Sequence, residues 1–102
     1  MEQSLSILLF AHGQSGALAL RQLRAAGHTV VGCITHARHE PWEPSLLDEC
    51  EQFVIPCSTR PVTLSNRPDL VLSVGYRHKI DTPYLTFARI GAFNVAGSQL
   101  PR

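Results

Sequence analysis

The 102 residues carry nine Lys and Arg against eight Asp and Glu, a formal charge of +1, and 44% of them are hydrophobic. A chain of this length holds one domain at most, residues 1–102, with a single modest core in which roughly 60–65% of the unfolded surface can be buried. The balanced charge without a Lys/Arg cluster excludes the electrostatic footprint of a nucleic-acid binder, and no stretch approaches the ~18 apolar residues of a membrane span.

Met1-Glu2-Gln3-Ser4 brings no positive segment, and the apolar run from Leu5 to Ala11 is interrupted by Ser6 and ended by His12. That is not a secretory signal. Leu5 to Phe10 has the mostly apolar character of a strand buried on both faces. Gly13 and Ser15 follow as turn and helix-start residues. From Gly16 the apolar positions Ala19, Leu20, Leu23 and Ala26 fall at helical spacing, with Arg21, Gln22 and Arg24 on the other side and Gly27 as a natural stop. Val30 to Thr35 repeats the strand signature, so the chain opens on a βαβ unit whose right-handed crossover makes the strands parallel. The expected class is α/β.

The turn His12-Gly13-Gln14-Ser15-Gly16 invites a phosphate-binding reading, because a helix N-terminus with small residues favours an anion. It lacks Gly-x-Gly, and Thr35 and His36 stand where a dinucleotide site needs an acid for the ribose, which argues against NAD. A substrate phosphate or sugar hydroxyl at His12, Gly13, Gln14 and Ser15 is one expectation; a plain strand-to-helix turn is the equal alternative. Cys33, His36 and His39 have three-residue spacing and ligand chemistry suited to zinc. Alternation along a strand sends Cys33 and His36 to opposite faces, so no metal is expected from this set. His36 is then a loop residue at a strand's C-terminal end, where open α/β sheets bind ligands. Cys33, Cys50 and Cys57, odd in number and without framework spacing, fit reduced thiols and a cytoplasmic setting.

Glu40 to Ser45 reads as an irregular loop. Ser45 three residues before Asp48 marks a weak helix start, and a helix of about two turns through Glu51 follows. Phe53 to Ile55 is expected as a third strand. Cys57 to Arg67 shows no room for a helix, which leaves one sheet face poorly covered. Leu70 to Val74 is the fourth strand, followed by the loop Gly75-Tyr76-Arg77-His78-Lys79-Ile80. Thr82-Pro83 is an N-cap and N1 pair for a short helix through Ala88. Ala92 to Val95 is the fifth strand. With strand order 3-2-1-4-5 this is a Rossmann-like open, mostly parallel sheet, and His12, His36, Tyr76 and Asn94 meet on one C-terminal rim. Asn94, where a strand opens into a Gly-Ser loop, can aim amide donors at a carbonyl or simply satisfy a turn.

The wording Asn94-Val95-Ala96-Gly97-Ser98-Gln99-Leu100-Pro101-Arg102 resembles the folate-dependent formyltransferases, whose motif reads Asn-x-His, a short polar pair, then Leu-Leu-Pro and a basic residue. Leu8-Leu9-Phe10-Ala11-His12 and Pro68 to His78 match in order and roughly in spacing. Ile34-Thr35-His36, Tyr76-Arg77-His78 and Gly91-Ala92-Phe93-Asn94 are similar to the sugar-nucleotide branch, notably the enzymes that formylate UDP-4-amino-4-deoxy-L-arabinose. The resemblance covers nearly the whole chain but only the front of the family's catalytic domain, so a truncated formyltransferase fold is implied. It implies 10-formyltetrahydrofolate as cosubstrate, cradled by Gly75, Tyr76, Arg77, His78, Lys79 and Ile80, an amino sugar nucleotide as acceptor, and Asn94 as oxyanion donor.

Two departures matter. Ala96 replaces the motif histidine, and the family's later aspartate has no counterpart within the 102 residues. General acid-base help is typically worth about 10²–10⁴ in rate, and alanine supplies none. The chain alone is therefore expected to be a pseudoenzyme or a fragment, pairing as a homodimer or with another chain that supplies the missing half. An active formyltransferase with substituted catalytic groups and a non-catalytic interaction module on the same scaffold are the alternatives.

Overall fold

A computed structural model describes residues 4–36, 42, 45–60, 67–76, 80 and 82–95. In chain order they form β1 (Ser6–Ala11), α1 (Gly13–Ala25), β2 (Thr29–Ile34), α2 (Leu46–Gln52), β3 (Cys57–Ser58), β4 (Leu70–Val74), α3 (Thr82–Phe87) and β5 (Gly91–Val95). The strands make one sheet in the order β3-β2-β1-β4-β5, and every pairing is parallel. This is the α/β, Rossmann-like open sheet that the alternation of apolar runs and amphipathic stretches implies.

β1 is central, and both its faces are covered, which is why its sequence is a continuous apolar run. Leu9 and Ala11 pack with Ala17 and Leu20 of α1 and with Leu46 and Cys50 of α2. Leu8 and Phe10 pack on the other face with Ile34, Val71 and Ala88, joined by Tyr84 of α3. Full burial of such side chains stabilises by about 1.5–3 kcal/mol each. α1 sits unusually close to the sheet because Gly16 has no side chain: a Cβ there would fall 2.9 Å from Ala11 Cβ and 3.3 Å from the Val74 carbonyl oxygen.

β1 and β2 lose register between Ile7 and Leu8, where Ile7 pairs with Val30 but Leu8 pairs with Gly32. Val31 is the extra residue of a bulge, and a bulge reverses the alternation of the strand beyond it. Val30 and Cys33 consequently share the α1/α2 face, and Ile34 turns to the α3 face.

At the end of the sheet opposite the rim, Asp69 ties β1 to β4. Its carboxylate accepts from the Ser6 N–H at 3.0 Å and pairs with Arg89 at 3.3 Å, while its own N–H donates to the Ser6 carbonyl. Arg21 of α1 grips Glu49 of α2 with two bonds of 3.1 and 2.6 Å, and Arg24 lies 3.6 Å over the Phe53 ring.

α1 begins at Gly13, with His12 as an N-cap that makes no side-chain capping bond. One expectation needs correction. The apolar triplet Phe53 to Ile55 is not a strand. It closes α2: Val54 has φ 57°, and the Ile55 and Val54 N–H groups donate back to the Cys50 and Glu51 carbonyls. This is a Schellman ending built on valine rather than glycine. The third strand lies later, at Cys57–Ser58, paired with Cys33 and Ile34. Ser45 does cap α2, its Oγ accepting from the Asp48 N–H at 3.3 Å. The crossover segment 61–66, where no helix is expected, lies outside the described residues.

Candidate functional site

The C-terminal ends of β2, β1 and β4 bring three of the residues singled out in the sequence into contact. His12 follows β1 and His36 follows β2, and their rings stack at 3.6 Å with 23° between planes. Tyr76, after β4, lies 5.6 Å from the His36 ring and meets Phe10 edge-on at 5.3 Å. The parity set by the bulge explains this: His36 is two residues beyond Ile34, so it extends the α3-side face.

Both imidazoles are buried, at 3% and 8% exposure. Thr35 is buried beside them, its Oγ1 3.3 Å from His12 Nδ1. Thr35 and Phe10 were not singled out as site residues in the sequence. Phe10 is two residues ahead of His12 on the same strand, and that spacing was the available signal. Gln14 and Ser15, on the first turn of α1, are exposed and form the accessible part of this rim, with Gly13 half-buried beside them.

Gly75 locks β4 to the turn after β1. Its φ is +72°, and a Cβ there would lie 2.7 Å from the His12 carbonyl oxygen and 2.9 Å from Ser15 Oγ. Only glycine fits such an approach at positive φ without strain. Ile80 packs against the α3-side core with Tyr76. Arg77, His78 and Lys79, the rest of the loop, lie outside the described residues.

Asn94 is the fourth residue of β5, level with Ser73 on β4 and, through it, with Phe10 on β1. It is exposed. Ala92, two residues earlier, packs on the α3-side core, so the pleat directs Asn94 to the same side of the sheet as the histidines. Two strand spacings separate β5 from β1, about 10 Å. Asn94 is therefore a neighbour of the rim and not a member of the stacked cluster. Ala96 lies outside the described residues.

The C-terminal rim thus gathers two buried imidazoles, a buried threonine hydroxyl and a half-buried phenol, with an exposed carboxamide on the same side of the sheet.

A second cluster of reactive groups was not anticipated. Cys33 of β2, Cys50 of α2 and Cys57 of β3 lie on the α1/α2 face with every Sγ within 4.8 Å of the others. Cys57 is the least buried, and the Cys33 and Cys50 thiols that point at it stabilise its thiolate, bringing its pKa down to about 4. Hydrogen bonds to Cys50 and Cys57, with burial, push Cys33 up. Its bond with Cys33 favours ionisation of Cys50, but the bond to Cys57, burial and the Cys57 charge outweigh it, and Cys50 is pushed up to about 12. Of the three, Cys57 is the thiol whose ionisation the cluster favours. The 3.9 Å approach of Cys57 Sγ to the Leu46 carbonyl serves only the thiol form.

No protein-family model matches the chain. Among the described residues, no helix is long and apolar enough to cross a membrane.

Proposed function

We propose that the chain is a formyltransferase-like domain whose rim binds a reduced folate carrying the formyl group and an amino sugar nucleotide, in a cytoplasmic setting. The observation that carries this reading is the meeting of His12, His36 and Tyr76 at adjacent strand ends, with Asn94 on the same side of the sheet. These are the residues on which the sequence resemblance rests. In this reading Tyr76, Gly75 and Ile80 hold the folate ring system, with Arg77, His78 and Lys79 completing the loop. Gln14, Ser15 and the His12–His36 pair meet the sugar or phosphate. Asn94 donates to the oxyanion that forms when the amine attacks the formyl carbon, help typically worth about 10²–10³ in rate.

Ala96 cannot relay the proton that must leave the amine. The 102 residues alone therefore bind without turnover. Groups that act as a unit fail together, so restoring one does not restore the rate. Ala96→His by itself is expected to do little. Ala96→His together with the remaining half of a family catalytic domain, supplied as a second chain, is expected to transfer formyl, and Asn94→Ala then abolishes it.

The test is titration with a stable formyl-folate analogue, followed by backbone amide shifts. Perturbation centred on Gly75, Tyr76 and Ile80 at millimolar ligand is expected; shifts that leave these three unmoved reject the folate reading.

A further inference from the structure

We infer that Cys33, Cys50 and Cys57 form a binding site for a thiophilic d¹⁰ dication of the zinc class, on the face of the sheet opposite the histidine rim. The site does not depend on the formyltransferase reading and shares no residue with it.

The first argument is convergence. The chain has three cysteines, separated by 17 and 7 positions, and all three meet in one cluster from a central strand, a helix and an edge strand. Cysteines that serve only as small apolar fillers have no reason to meet. Each is delivered by a specific local feature. The bulge at Val31 turns Cys33 toward α2. The Ser45 cap starts α2 so that Cys50 points into the core. The Schellman ending at Val54 then reverses the chain, and Cys57 pairs directly with Cys33.

The second argument is geometric. Sulfurs bound tetrahedrally at about 2.3 Å from zinc stand about 3.8 Å apart. The sulfurs are already within 4.8 Å of one another, so contraction by small side-chain rotations closes the site. Among the described residues no fourth His, Cys, Asp or Glu joins the group. Three protein ligands leave one coordination position, on the side of the half-exposed Cys57, for water or an added thiol.

The third argument is charge. Three thiolates around a dication carry a net charge of −1. A monovalent ion on the same three sulfurs would leave −2 in an apolar pocket lined by Leu46, Val30 and Ile55, a larger desolvation cost. Binding exchanges the thiol protons for the metal, so protons are released as the ion enters.

The experiment is a titration of the full reduced chain with Cd²⁺ and Zn²⁺ in the absence of competing thiols. One ion per chain is expected, with the ultraviolet charge-transfer band of cadmium–thiolate bonds, release of protons, and a raised thermal midpoint. Cys57→Ser, on the edge strand, is the variant least disturbing to the fold. It should weaken binding by more than about 100-fold, since even partners outside the ligand shell cost about 10–100-fold. Cys33→Ala and Cys50→Ala should do the same, and circular dichroism of each apo variant shows whether it is folded. Because wild-type stoichiometry and the cadmium band are read directly, the result stands even if the core variants do not fold. Absence of the band, a stoichiometry below one, or wild-type affinity in folded Cys57→Ser overturns the proposal.

Discussion

Replacing Gly75 with alanine isolates the contact that holds the candidate rim together. Two costs add. An L residue at φ +72° pays about 1–2 kcal/mol for the left-handed conformation. The new Cβ also meets the His12 carbonyl oxygen at 2.7 Å and Ser15 Oγ at 2.9 Å. The serine can rotate away, but the carbonyl belongs to the N-cap of α1 and accepts the Gly16 N–H, so backbone must shift, at about 1–3 kcal/mol. The sum, about 2–5 kcal/mol, is a large part of the 5–15 kcal/mol that typically holds a domain folded. For a chain of this size it corresponds to a fall of about 10–30 °C in the thermal midpoint. Gly13 supplies the control. Its φ is +73°, yet a Cβ there meets nothing within 4 Å, so Gly13→Ala incurs only the conformational cost. Urea and thermal unfolding followed by circular dichroism give both values. If the two substitutions destabilise equally, the close packing of β4 against the α1 turn is refuted.

α1 ends in a Schellman motif too, the Gly27 and His28 N–H groups donating to the Arg24 and Leu23 carbonyls, and the two endings predict opposite responses. Val54 is 88% exposed at φ 57°, so Val54→Gly relieves left-handed strain without losing packing and should stabilise by about 0.5–1 kcal/mol, whereas Gly27→Val, at φ +89°, should destabilise by about 1–2 kcal/mol, both read by urea unfolding. In the metal-free chain with chelator present, iodoacetamide at roughly pH 6 should label Cys57 and spare Cys33 and Cys50, as mass spectrometry of the peptides will show. The linked stability has a fixed sign: Cys57 is depressed from 9.0 to about 4, so its contribution is complete above the unfolded pKa and is lost as pH falls through the folded one. Unfolding free energy should therefore rise with pH between about 4 and 9, an increase that Cys57→Ser removes. Phe93 and Ile90, 55% and 62% exposed beside β5, should drive self-association, and light scattering at high micromolar concentration should show Phe93→Asp shifting the chain toward monomer.

Most of the architecture was legible because the strands are short apolar runs and α1 has a clear 3.6-residue pattern ending at Gly27. The order 3-2-1-4-5, entertained in the sequence as a condition, is the order observed, and the crossover rule accounts for the parallel pairing of β1 with β2. What was not legible depends on contacts distant in sequence. The Val-Ile pair after Phe53 has the composition of a strand, and nothing local announces a helix ending that places valine where glycine is usual. At the site, the strand-end rule located His12, His36 and Tyr76 correctly on one rim. It could not foresee that the imidazoles would be buried against each other, nor that Thr35 would join them.

The bulge at Val31 links these outcomes. Were Val31 paired in regular alternation instead of bulged, Cys33 would follow the face opposite to Val30, the thiols would not meet, and His36 would leave the α3 side where His12 and Tyr76 wait. A single inserted residue in the first third of the chain therefore sets the parity of β2 and, with it, the composition of both faces. The folate-type reading belongs to the α3-side rim and the metal reading to the α1/α2 side, and each requires the other strand parity to be absent. Val31 lies between Val30 and Gly32 without a pairing partner on β1, so deletion of Val31 removes the extra residue and restores simple alternation. In the deleted chain Val30 and Cys33 stand two positions apart, so ordinary alternation keeps them on one face and leaves Ile34 and His36 on the α3 side, and both the thiol cluster and the His12–His36 stack should persist. Retention of cadmium binding and of ligand-induced shifts at Tyr76 in that one variant would show that the bulge serves to absorb the extra residue and keep both faces in phase; loss of either one would show that the parity of β2 is set elsewhere.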